Sequence, residues 1–237
     1  MREARTESLL LPTLDSSDEV TRGRGSSDKG PATSEVIYGA VVDLMYERGY
    51  HGTSVREVAR ASGIQMASVY YHFPSKQALL IEVMSRTMRD LTAVTQTAAE
   101  AAGDHPVDRL TAAVRAHIIF HAVRRKEAFL ADSELRSVEP AQRAVVTGWR
   151  DRHEALFRDI LEQGIRSGQF AKVDLRLALN ALLAMCTEVA VWYRPEGRLS
   201  LEQIARSYTS LFLSGVLSPD ASPPTTTRVT PGEVDGA

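Results

Sequence analysis

The 237-residue chain predicts an all-α protein. Three observations carry that prediction. Apolar residues recur at intervals of three and four along most segments, no convincing alternating strand appears, and two short helical segments meet at a glycine between Ser54 and Pro74. The expected organisation is a three-helix helix-turn-helix domain over residues 34–80 and a second helical domain over 81–217. Residues 1–33 and 218–237 read as disordered tails.

The first tail is interrupted by Ser16-Ser17, Gly23, Gly25-Ser26-Ser27 and Gly30-Pro31, and its basic residues alternate with acids. It suits either a minor-groove arm or a plain tail, and the mixed charge favours the latter. The first helix is expected from about Ser34 to Arg48, with Ile37, Ala40, Val41, Leu44 and Met45 on one stripe. Gly49 and Gly52 flank a turn holding Tyr50 and His51. A domain of under 50 residues buries little surface, so it should lean on the second domain.

Ser54 with Glu57 three residues later forms a capping box, so a helix starts there. Val55, Val58 and Ala59 share its inner face, and Gly63 ends it where a left-handed residue is needed. Ile64, Val69 and Phe73 supply apolar contacts for the second helix, leaving Gln65, Met66, Ser68, Tyr70, Tyr71 and His72 outward. Phosphates and base edges use such groups well. Pro74 stops the helix and Lys76 opens the next.

The run Tyr70-Tyr71-His72-Phe73-Pro74-Ser75-Lys76 resembles the signature of TetR-family transcriptional regulators: a recognition helix ending in Tyr-x-His-Phe, a short turn, then Lys. The resemblance is close over about 34–80. It implies that Thr53, Ser54, Arg56, Gln65, Met66, Ser68, Tyr70, Tyr71, His72 and Lys76 meet double-stranded DNA. Two positions depart from the pattern. Met66 stands where Lys is frequent, and Gln65 where Ser or Thr would cap the recognition helix.

A long helix is expected from about Lys76 to Ala102, with Leu79, Leu80, Val83, Met84, Met88, Leu91 and Val94 inward. Gly103-Asp104-His105-Pro106 breaks it. Five more helices are expected from Val107 to Gly215, broken near Arg124–Lys126, Glu139-Pro140, 168–173 and 194–200. Ser200 with Gln203 should cap the last one. The final tail holds Pro219, Pro223, Pro224, Pro231 and three consecutive threonines.

The expected helix over about Asp174–Trp192 is apolar almost all round, and the last carries Ile204, Tyr208, Leu211, Phe212 and Val216. A second copy of the chain is the natural cover, giving a homodimer, two recognition helices about one DNA turn or somewhat more apart and a near-palindromic operator. Candidate ligand-binding residues are His117, Phe120, His121, Trp149, His153, Asn180 and Thr187. Against them, His117 and His121 have the spacing of a metal pair without an evident third ligand, and Trp149, His153 and Phe157 also read as a core stripe. Asn180 and Thr187 lie two turns apart on one side. Glu188 suits either a ligand or an interface charge.

Net charge is −2, so DNA affinity must come from local placement rather than bulk charge. The single cysteine, Cys186, allows no intramolecular disulfide and reads as a buried thiol in a reducing compartment. The N-terminal apolar run is too short for a signal peptide, and no uncharged apolar stretch approaches about 18 residues. A cytoplasmic protein is expected. An enzyme built on His117 and His121, with Glu127 or Asp132, would lack a nucleophile, an oxyanion site and a complete metal set, so no catalytic residue, metal or cofactor is predicted.

Gly168-Gln169-Phe170 and Trp192-Tyr193-Arg194-Pro195 with Gly197-Arg198-Leu199-Ser200 are similar to TetR-type repressors of lipid and steroid-ring catabolism. That resemblance implies an acyl-CoA or similar hydrophobic effector. The expected function is a ligand-responsive repressor. The rival is a helix-turn-helix-derived interaction module without sequence-specific DNA binding.

Overall fold

The computed structural model describes residues 29–217, which fold as ten α-helices and one 3-10 turn, with no strand among the described residues. The head comprises α1 (Lys29–Arg48), α2 (Val55–Ser62) and α3 (Met66–His72). A long α4 (Lys76–Ala101) leads into the body: α5 (Pro106–Val123), α6 (Arg125–Ser133), the 3-10 turn (Glu134–Ser137), α7 (Pro140–Arg166), α8 (Leu175–Thr187), α9 (Val189–Trp192) and α10 (Leu201–Val216).

Local chemistry explains the boundaries. Ser54 and Glu57 form the expected capping box, and Gly63 closes α2 at φ 68°. Ser75 caps α4 through the Ala78 N–H, Pro106 and Pro140 sit in the first turns of α5 and α7, and Ser200 with Gln203 makes a second capping box at α10. Helix α1 starts at Lys29, five residues before the expected Ser34. Gly30-Pro31 reads as a breaker in sequence, but a proline in the first turn gives up only an N–H that has no helical partner. The remaining tail residues lie outside the described range, as does any minor-groove arm.

The head leans on the body as its size requires. Its core joins Ile37, Val41, Met45, Val58, Val69, Leu80 and Met84 to Leu130 of α6, Val138 and Val146. The body core runs through Leu110, Val114, Ile118, Phe157, Ile160, Leu179, Leu182 and Ile204. Gly164 is the α7 position onto which Phe170 folds back, since a Cβ there would come within 2.0 Å of its ring.

The expected helix over Asp174–Trp192 is in fact α8 and α9, parted at Glu188. Leu175–Trp192 is apolar over 18 residues, with a mean hydropathy of 1.4, but Arg176 and Glu188 interrupt it, so it is not an uncharged stretch of that length. Only 28% of it is buried in the single chain. Leu177, Val191 and Trp192 on it, and Leu211 on α10, are exposed.

Candidate functional site

Helix α3 turns one face inward and one outward. Val69 is fully buried against the head core, whereas Tyr71 is 85% exposed, and Met66 and Tyr70 also face solvent. Gln65 is the N-cap of α3 and makes no side-chain cap bond, as expected of a residue that replaces Ser or Thr there. Gln65 is exposed, and Ser68 and His72 on the helix it caps are half-buried. The Tyr71 and His72 rings meet edge to face at 5.3 Å.

Around this face the cations are placed locally. Arg56 and Arg60 are exposed and form no salt bridge with another described residue. Lys76 lies 4.1 Å above the Tyr50 ring. Burial lowers its pKa, while Glu134 and Glu57 oppose that shift. Ser54 is exposed, but its hydroxyl is engaged with Glu57, whose carboxyl is held below the usual range by the Ser54 hydroxyl and N–H. Thr53 corrects the sequence-based expectation. Its side chain is 3% exposed and donates to the Gly49 carbonyl at 3.0 Å, so it secures the turn and offers nothing outward.

The body holds a second constellation. His117 Nδ1 lies 3.0 Å from His153 Nε2, and His117 Nε2 lies 3.3 Å from Thr187 Oγ1. His153 Nδ1 lies 3.4 Å from Thr92 Oγ1. His121 stacks on His117 at 4.2 Å, with its Nδ1 3.0 Å from the His117 carbonyl and its Nε2 3.9 Å from Asp132. All three rings are at most 4% exposed. Burial drives His117 well below the ordinary imidazole range, brings His153 down to about 3, lowers His121 and raises Asp132. The rings are therefore neutral hydrogen-bonding groups. Among the described residues no group of three His, Cys, Asp or Glu side chains is arranged to hold a metal ion.

Three other candidates fall outside this hydrogen-bonded cluster. Phe120 packs with Met88 and Leu91, and Trp149 lies partly buried against the same group with Arg152 4.4 Å over its ring. Asn180 is exposed, so it does not share a site with Thr187. Glu188 is exposed, and Glu127 pairs with Arg124. Cys186 is buried, with its thiol pushed up to about 12. Two surface grooves, of about 240 and 310 Å³, lie elsewhere and touch none of His117, His121 and His153.

Helix α6 and the turn after it connect the two constellations. On the head side Lys126 pairs with Asp43 at 2.6 Å and Glu134 Oε1 accepts the Tyr50 N–H at 3.1 Å. On the body side Asp132 faces His121 and pairs with Arg150 at 3.2 Å. Gln77 of α4, 6% exposed, donates to the Tyr50 hydroxyl (2.8 Å) and the Ser137 carbonyl (2.7 Å) and accepts from the Glu139 N–H (3.1 Å). Sequence reasoning missed Gln77, because its partners are remote in the chain.

Comparison with known proteins follows the same division. Residues 37–83 match "Bacterial regulatory proteins, tetR family", and residues 103–216 match "Tetracyclin repressor-like, C-terminal domain". The HTH-type transcriptional repressor KstR2 of Mycolicibacterium smegmatis is 30% identical over 178 residues, covering 73% of this chain and 85% of that protein. The solved TetR-family regulator PfmR of Thermus thermophilus is 33% identical, with a TM-score of 0.67 over 75% of this chain and 97% of its own. AibR, solved in complex with isovaleryl coenzyme A and operator DNA, is 26% identical, with a TM-score of 0.67 over 76% and 97%.

Proposed function

This chain belongs to the TetR family of bacterial transcriptional regulators, and from that premise we propose a homodimeric repressor released from a near-palindromic operator by an acyl-CoA-like effector. The observation that carries the DNA-binding role is the split of α3, with Val69 locked in the core and Tyr71 almost fully exposed. A rigidly held helix with an outward aromatic and polar face is what major-groove docking uses. Tyr70, Tyr71 and His72 meet backbone or base edges, Gln65, Met66 and Ser68 meet bases, and Arg56 and Lys76 meet phosphates, while Ser54, whose hydroxyl and N–H both go to Glu57, holds the start of α2.

A second copy covers the exposed apolar residues Leu177, Val191, Trp192 and Leu211 of α8 to α10. That cover accounts for the apolar Leu175–Trp192 stretch without a membrane, in a cytoplasmic protein. The effector enters the body beside His117, His121, His153 and Thr187. AibR, with isovaleryl coenzyme A bound, supports a thioester, and family membership supports a regulator rather than an enzyme. Entry parts the closed histidine cluster, and α6, which touches both His121 and the head, passes the displacement to α1 and α4. The effector shifts the equilibrium only through its different affinity for the two states, a coupling of about 1–3 kcal/mol.

Selection of bound duplexes from a random pool tests the reading. An inverted repeat with half-sites spaced for a two-fold dimer is expected. Recovery of unrelated sequences would favour the interaction-module rival.

A further inference from the structure

The hydrogen bonds through the buried histidines have a direction, and the direction follows from one hydroxyl. Thr92 Oγ1 donates its only proton to the Met88 carbonyl at 2.7 Å. Towards His153 Nδ1 it can therefore only accept, so His153 carries its proton on Nδ1 and presents a bare Nε2. His117 must then donate from Nδ1 to His153 Nε2, which leaves His117 Nε2 bare and accepting from the Thr187 hydroxyl. The result is a neutral chain from α8 through α5 and α7 to α4, in which both rings hold the Nδ1–H tautomer. Free neutral imidazole favours the other one. His121 is fixed separately, donating from Nδ1 to the His117 carbonyl.

Two features limit what can join this chain. Among the described residues no lysine or arginine bonds to any of its four side chains, and the Asp132 carboxylate stands 3.9 Å from Nε2 of the stacked His121. A ligand carboxylate at His117 Nε2 would be desolvated with no cation free to meet it, since Arg150, the cation beside Asp132, is already paired with that carboxylate. An uncharged oxygen meets no such penalty. The chain can also reverse cheaply. The Met88 carbonyl sits four residues before Thr92 within α4, so it keeps a helical N–H partner when the Thr92 hydroxyl turns away.

We propose that this chain is the polar end of the effector site and selects the uncharged thioester carbonyl, which takes the place of Thr187 at His117 Nε2 and reverses the tautomers of His117 and His153. This rests on the thioester reading above. In the reversal the proton between the rings passes from His117 Nδ1 to His153 Nε2. One proton leaves His153 Nδ1 for water and one is taken up at His117 Nε2, so no net proton is bound. Thr92 then donates to His153 Nδ1 and His117 Nε2–H donates to the carbonyl oxygen.

The test uses the full-length protein with ¹⁵N-labelled histidine, whose NMR spectra distinguish the two tautomers. Butanoyl, octanoyl and hexadecanoyl coenzyme A are compared with their S-alkyl thioethers, which lack only the carbonyl, and with the free acids. The ligand-free protein should show Nδ1–H at His117, His121 and His153. A bound thioester should convert His117 and His153 to Nε2–H and leave His121 unchanged. The thioether should bind about tenfold more weakly without converting either ring, as loss of one neutral hydrogen bond implies. Thr92→Val, which keeps the shape and removes the donor, should narrow that preference. A thioester that binds without converting the rings, or no better than its thioether, would overturn this inference and leave the acyl-CoA reading standing. Failure of every coenzyme A ester to bind would overturn both. Tighter binding of a free acid would show that the site takes a charge, against the inference.

Discussion

Replacing Gln77 by leucine tests whether the head and body are held as one unit by a buried carboxamide. The substitution nearly conserves volume, so its effect is chiefly the loss of three hydrogen bonds, to the Tyr50 hydroxyl, the Ser137 carbonyl and the Glu139 N–H. At about 0.5–1.5 kcal/mol net for each, with two half-buried backbone groups left short of a partner, the cost is about 2–4 kcal/mol. For a structured region of this size that corresponds to a Tm lower by roughly 4–16 °C. Tyr50→Phe, which removes only one of the bonds, should cost about 0.5–1.5 kcal/mol. Thermal unfolding by circular dichroism at fixed protein concentration measures the loss, and anisotropy with labelled operator measures the functional part. Because Gln77 joins α4 to the turn after α6, Gln77→Leu should also reduce the effect of the thioester on DNA affinity. An unchanged Tm together with undiminished effector response would refute the idea that this contact ties the two halves together.

Three further outcomes are expected of the same structure. Tyr71→Ala should leave stability within about 0.5 kcal/mol, because the ring is 85% exposed, while operator affinity falls and the dimer stays intact in sedimentation. Gly164→Ala should destabilise the body by about 1–3 kcal/mol in urea titration, since the new Cβ would occupy the Phe170 ring's place, and Phe170→Leu in the same chain should recover part of the loss. Stability should also fall in acid. Burial holds His117, His121 and His153 below their unfolded value near 6.5, so below that pH the unfolded chain binds more protons than the folded one. The slope reaches about 1.4 kcal/mol per pH unit for each ring kept neutral. Asp132, raised by burial, binds its proton more readily when folded and opposes the loss at the acid end. The urea midpoint should hold steady above about pH 7 and drop from about pH 6.5 to 5. His153→Gln should shallow that drop, and an unchanged slope would show that the ring is charged when folded.

What was legible in the sequence was local. Capping at Ser54 and Ser200, the left-handed Gly63, the weak cap at Gln65 and the inward Val69 each depend on a few neighbouring residues, and the structure has them all. What was not legible depends on segments meeting across the chain. His117 and His153 are 36 residues apart and join only because α5 packs on α7, and Gln77 reaches Ser137 over 60 residues. Helical spacing put Asn180 with Thr187, but packing leaves Asn180 exposed while Thr187 meets His117. Thr53 stands beside the recognition segment in sequence and turns inward to bond the Gly49 carbonyl. Periodicity tells which residues share a face but not which neighbour that face meets.

The central claim is that DNA held by α3 is released by a thioester bound in the body. The most direct measurement takes the purified protein on the intergenic DNA upstream of its own gene at about 0.15 M salt, where non-specific binding is weak. Coenzyme A thioesters of increasing chain length are then titrated in, with a scrambled duplex in parallel. The account predicts tight binding to the upstream duplex alone and release of that duplex by one class of thioester. Equal binding to both duplexes, or a specific complex that no thioester weakens, would contradict it.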